Sequence, residues 1–149
     1  MKTVADPRVL ADLRTRVESL SLGSPRRWGK MNVQQMLTHL AGGMEKVLAG
    51  EPFGPPPERP RTLLKIFFIR LPLPWPKGVR GSRDPAGTAV PESDFEGLRG
   101  RLVEALSAMA EWSAGHGTPM HPAFGELTTW EWQRWAYRHA DHHFKQFSA

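Results

Sequence analysis

"TTWEWQRWAYRHADHHFKQF", Thr128 to Phe147, is the stretch on which the fold class turns. Trp132, Trp135, Ala136 and Phe147 form an apolar stripe at helical spacing. Thr128 and Glu131 make a Thr-x-x-Glu capping box at its start. The stretch therefore predicts one long amphipathic helix. It also holds three of the chain's six histidines, His139, His142 and His143. Residues four apart on a helix lie one above the other, so His139 and His143 share a face. That face continues the apolar stripe. Imidazoles at core positions are costly unless each finds a partner. One metal ion partners both, and so would ordinary hydrogen bonds to two satisfied core histidines. His142 sits about 100° around the helix and belongs to its rim or to solvent.

Three further helices are predicted upstream. The first spans about Asp6 to Leu20, with Asp6 as cap, Pro7 at the first helical position, and Leu10, Leu13, Val17 and Leu20 as stripe. The second runs from Asn32, a good N-cap, to Ala49, with Val33, Met36, Leu37, Leu40, Met44, Val47 and Leu48 as stripe. The third spans about Ser93 to Ser113, carrying Phe95, Leu98, Leu102, Leu106 and Met109. Between the second and third lies Gly50 to Glu92, rich in proline and glycine, with "RTLLKIFFIR" inside it as a possible short helix. Neither flank is long enough to be a domain alone. The expectation is one all-α domain over residues 1–149, a four-helix bundle with a long crossover between helices two and three. The apolar "LLKIFFI" is expected to pack over one end of it.

Bulk properties narrow the function. The chain has no cysteine, which removes disulfides, cysteine-type zinc sites and a cysteine nucleophile. Its net charge is +5, but the arginines are scattered and no nucleic-acid motif accompanies them, so a solvated basic surface is expected and no nucleic-acid partner. No apolar run approaches the ~20 residues of a membrane span, and the first residues show no signal-peptide pattern. A cytoplasmic protein with no membrane partner is the expectation.

A third ligand decides how the histidine pair is read. His39 lies midway along the second helix in "QQMLTHLAGG", at the margin of its apolar stripe. Gly42 and Gly43 follow it: they leave room for a ligand or a close neighbouring helix, or they simply pack loosely. His116 and His121 lie in the loop before the last helix; His139 is ~16 Å along the axis from Thr128, which makes both poor candidates for the same ion. Three protein ligands with an open position is the pattern of catalytic metals, and imidazole suits zinc, nickel, iron or copper.

"RWGKMNVQQMLTHL" and "HPAFGELTTWEWQRWAYRHADHHFKQF" together resemble the DinB-like superfamily, closest to an uncharacterised bacterial subgroup. The matching order is a Trp-x-x-Met lead-in, a histidine in helix two, and His-x-x-x-His in the last helix. The resemblance implies a four-helix bundle and a divalent metal, often nickel or zinc, held by His39, His139 and His143. It further implies thiol chemistry with a low-molecular-weight thiol such as mycothiol, bacillithiol or glutathione, and makes a homodimer plausible. No thiol-binding residue maps onto this chain, so catalytic residues stay unassigned.

Two functions are carried forward. One is a metal-dependent enzyme on a small-molecule substrate, a thiol transferase or a hydrolase. The other is a non-catalytic metal-binding or stress-response module. Around the histidines, Trp130, Trp132 and Trp135 are expected as core more than as pocket wall, and Trp28 as packing beneath helix two. Asp141 is expected to be an exposed helix residue. Glu45 or Glu104 is the expected carboxylate behind a ligand histidine. Arg26 and Arg27 are expected to be a solvated pair.

Overall fold

The computed structural model describes residues 1–55, 62–77, 94–115 and 118–149. Within them the chain is helical: α1 (Pro7–Ser19), α2 (Val33–Leu48), α3 (Thr62–Lys65) leading into a π-helical turn (Ile66–Arg70), α4 (Phe95–Glu111) and α5 (Thr129–Gln146). The extended pairing among the described residues is one isolated bridge, His121 with Gly125. None of the described helices is long and apolar enough to cross a membrane.

The boundaries follow from local chemistry. Asp6 accepts a hydrogen bond from the Arg8 amide, and Pro7 follows it. Asn32 and Gln35 form a reciprocal capping box on α2: the Gln35 amide donates to the Asn32 side chain at 2.8 Å, and the Asn32 amide to the Gln35 side chain at 2.9 Å. Thr128 and Glu131 do the same for α5. Such a box satisfies two of the orphaned amides at a helix start. The π-helical turn closes with the Leu71 amide donating to the Ile66 carbonyl at 2.9 Å, five residues back. Helix α4 starts at Phe95; the residue expected to open it, Ser93, lies outside the described residues.

Helices α1 and α2 each pack against both α4 and α5, and α4 also touches α5. The core between them contains Leu13 and Val17, Met36, Leu37, Leu40 and Met44, Leu102, Leu106 and Met109, and Trp132 and Phe144, all fully buried. Burying one such side chain stabilises by about 1.5–3 kcal/mol. The expected stripes hold with two corrections: Val9 is buried while Leu10 is only partly so, and Leu48 is partly exposed beyond Val47. Each lies at a helix end, where the stripe drifts off the contact face.

The described residues 62–77 dock on the start of α5. Glu131 has no exposed side-chain surface and pairs with Lys65 at 2.8 Å and Arg70 at 3.0 Å. Ile69 is buried, and Phe68 packs against Phe124 and Trp75. Leu63, at 84% exposure, points outward. Arg138 of α5 then holds the carbonyls of Leu71 and Leu73, which lays the following residues along α5.

Candidate metal centre

Helix α2 carries His39 and helix α5 carries His139 and His143. The structure brings the three together, with one nitrogen of each within 4.8 Å of the others. Nε2 of His39 is 2.9 Å from Nε2 of His139. The ring centroids of the trio lie 4.8, 5.1 and 5.0 Å apart. His139 and His143 are buried, and His39 is partly exposed. The approach depends on Gly43: a Cβ there would sit 3.4 Å from the Trp135 ring and 4.0 Å from His139. Of the expectations for the glycine pair, the close neighbouring helix is what Gly43 provides.

Charge is excluded from this place. Burial, reinforced by the other histidines, holds the His139 imidazole well below its ordinary range. Burial and then His39 bring His143 down to about 3. Both are neutral imidazoles at pH 7, the form that ligates metals. Burial lowers His142 as well. Nδ1 of His139 is buried with no hydrogen-bond partner among the described residues. Nδ1 of His143 lies 2.8 Å from Oε1 of Gln146, whose Nε2 donates to the Trp28 carbonyl at 2.7 Å.

Aromatic rings surround the trio. Trp135 stands 4.9 Å from His139, and Trp75 5.9 Å from it. His142 lies at the rim, between Trp28 at 5.8 Å and Trp75 at 5.9 Å. Lys77 places its ammonium 4.7 Å above the Trp28 ring. Trp132 and Trp135 are core, as expected, while Trp130 is partly exposed beneath Arg70.

His121 stays outside the trio but comes nearer than helical rise alone suggests. The His121–Gly125 turn folds back along α5, so its ring stacks on Phe124 at 4.2 Å and lies 6.1 Å from Trp135. Its Nδ1 accepts from the Ala123 amide, and burial lowers its pKa to about 4. His116 lies outside the described residues.

Several supporting residues are placed otherwise than expected. Glu45 is held by Arg101 at 2.6 and 2.5 Å, and Glu104 is exposed, so neither backs a histidine. A carboxamide, Gln146, takes that place; its position three residues after His143 was the available signal. Trp28 packs against the end of α5. Asp141 is not exposed: it pairs with Arg16 at 2.9 Å and Lys145 at 2.7 Å. Arg26 and Arg27 are exposed, as expected; Arg26 donates to the Lys30 and Met31 carbonyls, and Arg27 to Ser148.

No curated protein and no solved structure matches the chain significantly. One family model does, over residues 7–149, which includes all three histidines and both capping boxes. The chain therefore belongs to the family described as protein of unknown function, DUF1569.

Proposed function

We propose that this chain is a metal protein of the DinB-like type, a four-helix bundle with a long crossover, in which His39, His139 and His143 hold one divalent ion. The observation that carries the reading is the convergence of three histidine nitrogens from two helices within 4.8 Å. Two nitrogens bound to one ion at ~2.1 Å lie roughly 3–3.4 Å apart. The 2.9 Å between His39 and His139 is already close to that value, and rotation of the imidazoles closes the remainder. An all-imidazole set suits nickel or zinc.

Bound there, such an ion supplies Lewis acidity, which favours the deprotonated form of a thiol or of water at neutral pH. The chain's own residues supply a dry, aromatic wall. Trp135 and Trp75 flank His139 and exclude water from one side, while His39 marks the more exposed side. We propose a small-molecule substrate approaching from the His39 side, with a low-molecular-weight thiol as co-substrate of a transferase, or with water as that of a hydrolase. A homodimer belongs to the same reading.

A second reading, a non-catalytic metal-binding module, is favoured by one observation. A cavity of about 330 Å³ among the described residues lies at Gly115, Thr118, Pro119, Met120, Glu126 and Leu127, and no histidine of the trio lines it. The test is metal content of purified, untagged protein by mass spectrometry, beside His39→Ala, His139→Ala and His143→Ala. Near-stoichiometric nickel or zinc in the parent, lost in each variant, is the expected result. A parent without metal after incubation with both ions would overturn the reading. Thiol and electrophile screens of the loaded protein then separate enzyme from module.

A further inference from the structure

Resting on the metal-site reading, we infer that Gln146 is a positioning residue for His143: it selects the Nδ1–H tautomer and aims Nε2 at the trio, and Gly29 is the residue that lets it do so. A carboxamide has an accepting end and a donating end, and its environment decides which is which. Here the environment is unambiguous. The Trp28 carbonyl only accepts, and it lies 2.7 Å from Nε2 of Gln146. The NH₂ end must face Trp28, so Oε1 faces Nδ1 of His143 at 2.8 Å and accepts from it. The proton of the neutral imidazole is thereby assigned to Nδ1, and the lone pair to Nε2.

Gln146 is itself held in place. It is 3% exposed, and its carbonyl accepts from the Arg27 amide at 2.8 Å. Gly29 has φ +81°, and a Cβ there would meet Nε2 of Gln146 at 2.4 Å. Any side chain at position 29 is both strained and in collision with the carboxamide. The segment Arg27–Gly29 thus forms a socket whose contents point at His143. His139 differs, since its Nδ1 is buried without a partner among the described residues. His143 is consequently a preset ligand, and the tautomer of His139 is set by the ion or by His39. Removing an outer partner of a ligand histidine typically lowers metal affinity 10–100-fold.

A buried glutamine that merely ties a loop to a helix end would have no influence on the His143 tautomer, and that difference is the test. Long-range ¹H–¹⁵N NMR of the metal-free full chain reads the tautomer directly. The parent is expected to show His143 protonated at Nδ1. Gln146→Leu and Gly29→Ala are expected to shift it toward Nε2–H. Cobalt(II) titration followed by visible absorption is expected to give a 10–100-fold weaker affinity and displaced ligand-field bands for Gln146→Leu. An Nε2–H tautomer in the parent, or a tautomer unchanged in Gln146→Leu and Gly29→Ala, overturns the inference. A parent that takes up no cobalt overturns the metal-site reading instead, while the tautomer still decides the role of Gln146.

Discussion

Nε2 of His39 and Nε2 of His139 lie 2.9 Å apart although they stand on different helices, 100 residues apart in sequence. Two neutral imidazoles at that distance share one proton, one donating and the other accepting. An ion between them replaces that single bond with two. The contact requires α2 and α5 to approach closely at Gly43, where a Cβ would already meet Trp135 at 3.4 Å.

That spacing predicts opposite results for two substitutions at one position. Gly43→Ala places its methyl at ordinary contact distance and removes the helix-interior cost of glycine, up to ~1 kcal/mol. Its melting temperature is expected to equal or exceed the parent's, with metal uptake retained. Gly43→Leu has no such room. It is expected to cost about 1–3 kcal/mol by overpacking and to lose metal as the helices part. Thermal unfolding and metal content of the two variants check this; a Gly43→Leu protein that still loads fully would show that the approach at Gly43 is not what sets the site.

Ligand linkage gives a second prediction. An ion that binds only the folded chain at 100 times its Kd stabilises it by about 2.7 kcal/mol. For a domain of this size that corresponds to a rise of roughly 5–10 °C in Tm. Nickel or zinc is expected to raise the parent's Tm by this order, reversibly on addition of a chelator, and to leave His143→Ala unmoved. An equal rise in His143→Ala would place the binding elsewhere.

The parts of the fold that sequence reveals are those made by neighbours along the chain. Asn32 with Gln35 and Thr128 with Glu131 are three residues apart, so their capping boxes can be read directly. His139 and His143 share a face for the same reason, and His39 joins them because its helix face is fixed by Met36 and Leu40. What sequence leaves open are the contacts between a loop and a distant helix. Trp28 could pack on any neighbour; it meets His142 where the Arg27 amide bonds to the Gln146 carbonyl and the Gln146 carboxamide to the Trp28 carbonyl. Glu45 lies on the same helix as His39, and Arg101 on α4, 56 residues away, draws it aside. Trp75 reaches His139 through the clasp of Arg138 on two proline-flanked carbonyls, which no periodicity announces.

Glu131 supplies a third prediction, because it has two separable duties. It closes the capping box of α5, and it anchors the α3 segment through Lys65 and Arg70. Glutamine can perform the first duty and not the second. Glu131→Gln is expected to cost about 1–2 kcal/mol, with most of the loss from Lys65, since Arg70 is 56% exposed and screened. Glu131→Ala is expected to cost about 1 kcal/mol more through the lost cap. Urea unfolding of the two variants measures the split; identical losses would mean that the cap contributes nothing beyond the ion pairs.

The fourth prediction concerns acid. Burial lowers the folded pKa of His121 to about 4, against ~6.5 in an unfolded chain. Between those values the unfolded chain holds the extra proton, so the stability associated with neutral His121 is complete above pH ~6.5 and is lost as pH falls toward ~4. Protonation also removes the acceptor for the Ala123 amide. Asparagine keeps a short acceptor there and does not titrate. His121→Asn is therefore expected to be less stable than the parent at pH 7.5, through loss of the stack on Phe124, and to approach it by about 1–2 kcal/mol at pH 5. Groups common to both proteins, the low imidazoles of His139, His142 and His143 among them, shift both curves alike and cancel in the difference. Urea midpoints of metal-free parent and variant at the two pH values give the result. A gap that stays constant would mean that His121 takes its proton in the folded chain as readily as in the unfolded one, and that its ring is not shielded from water by the turn that carries it.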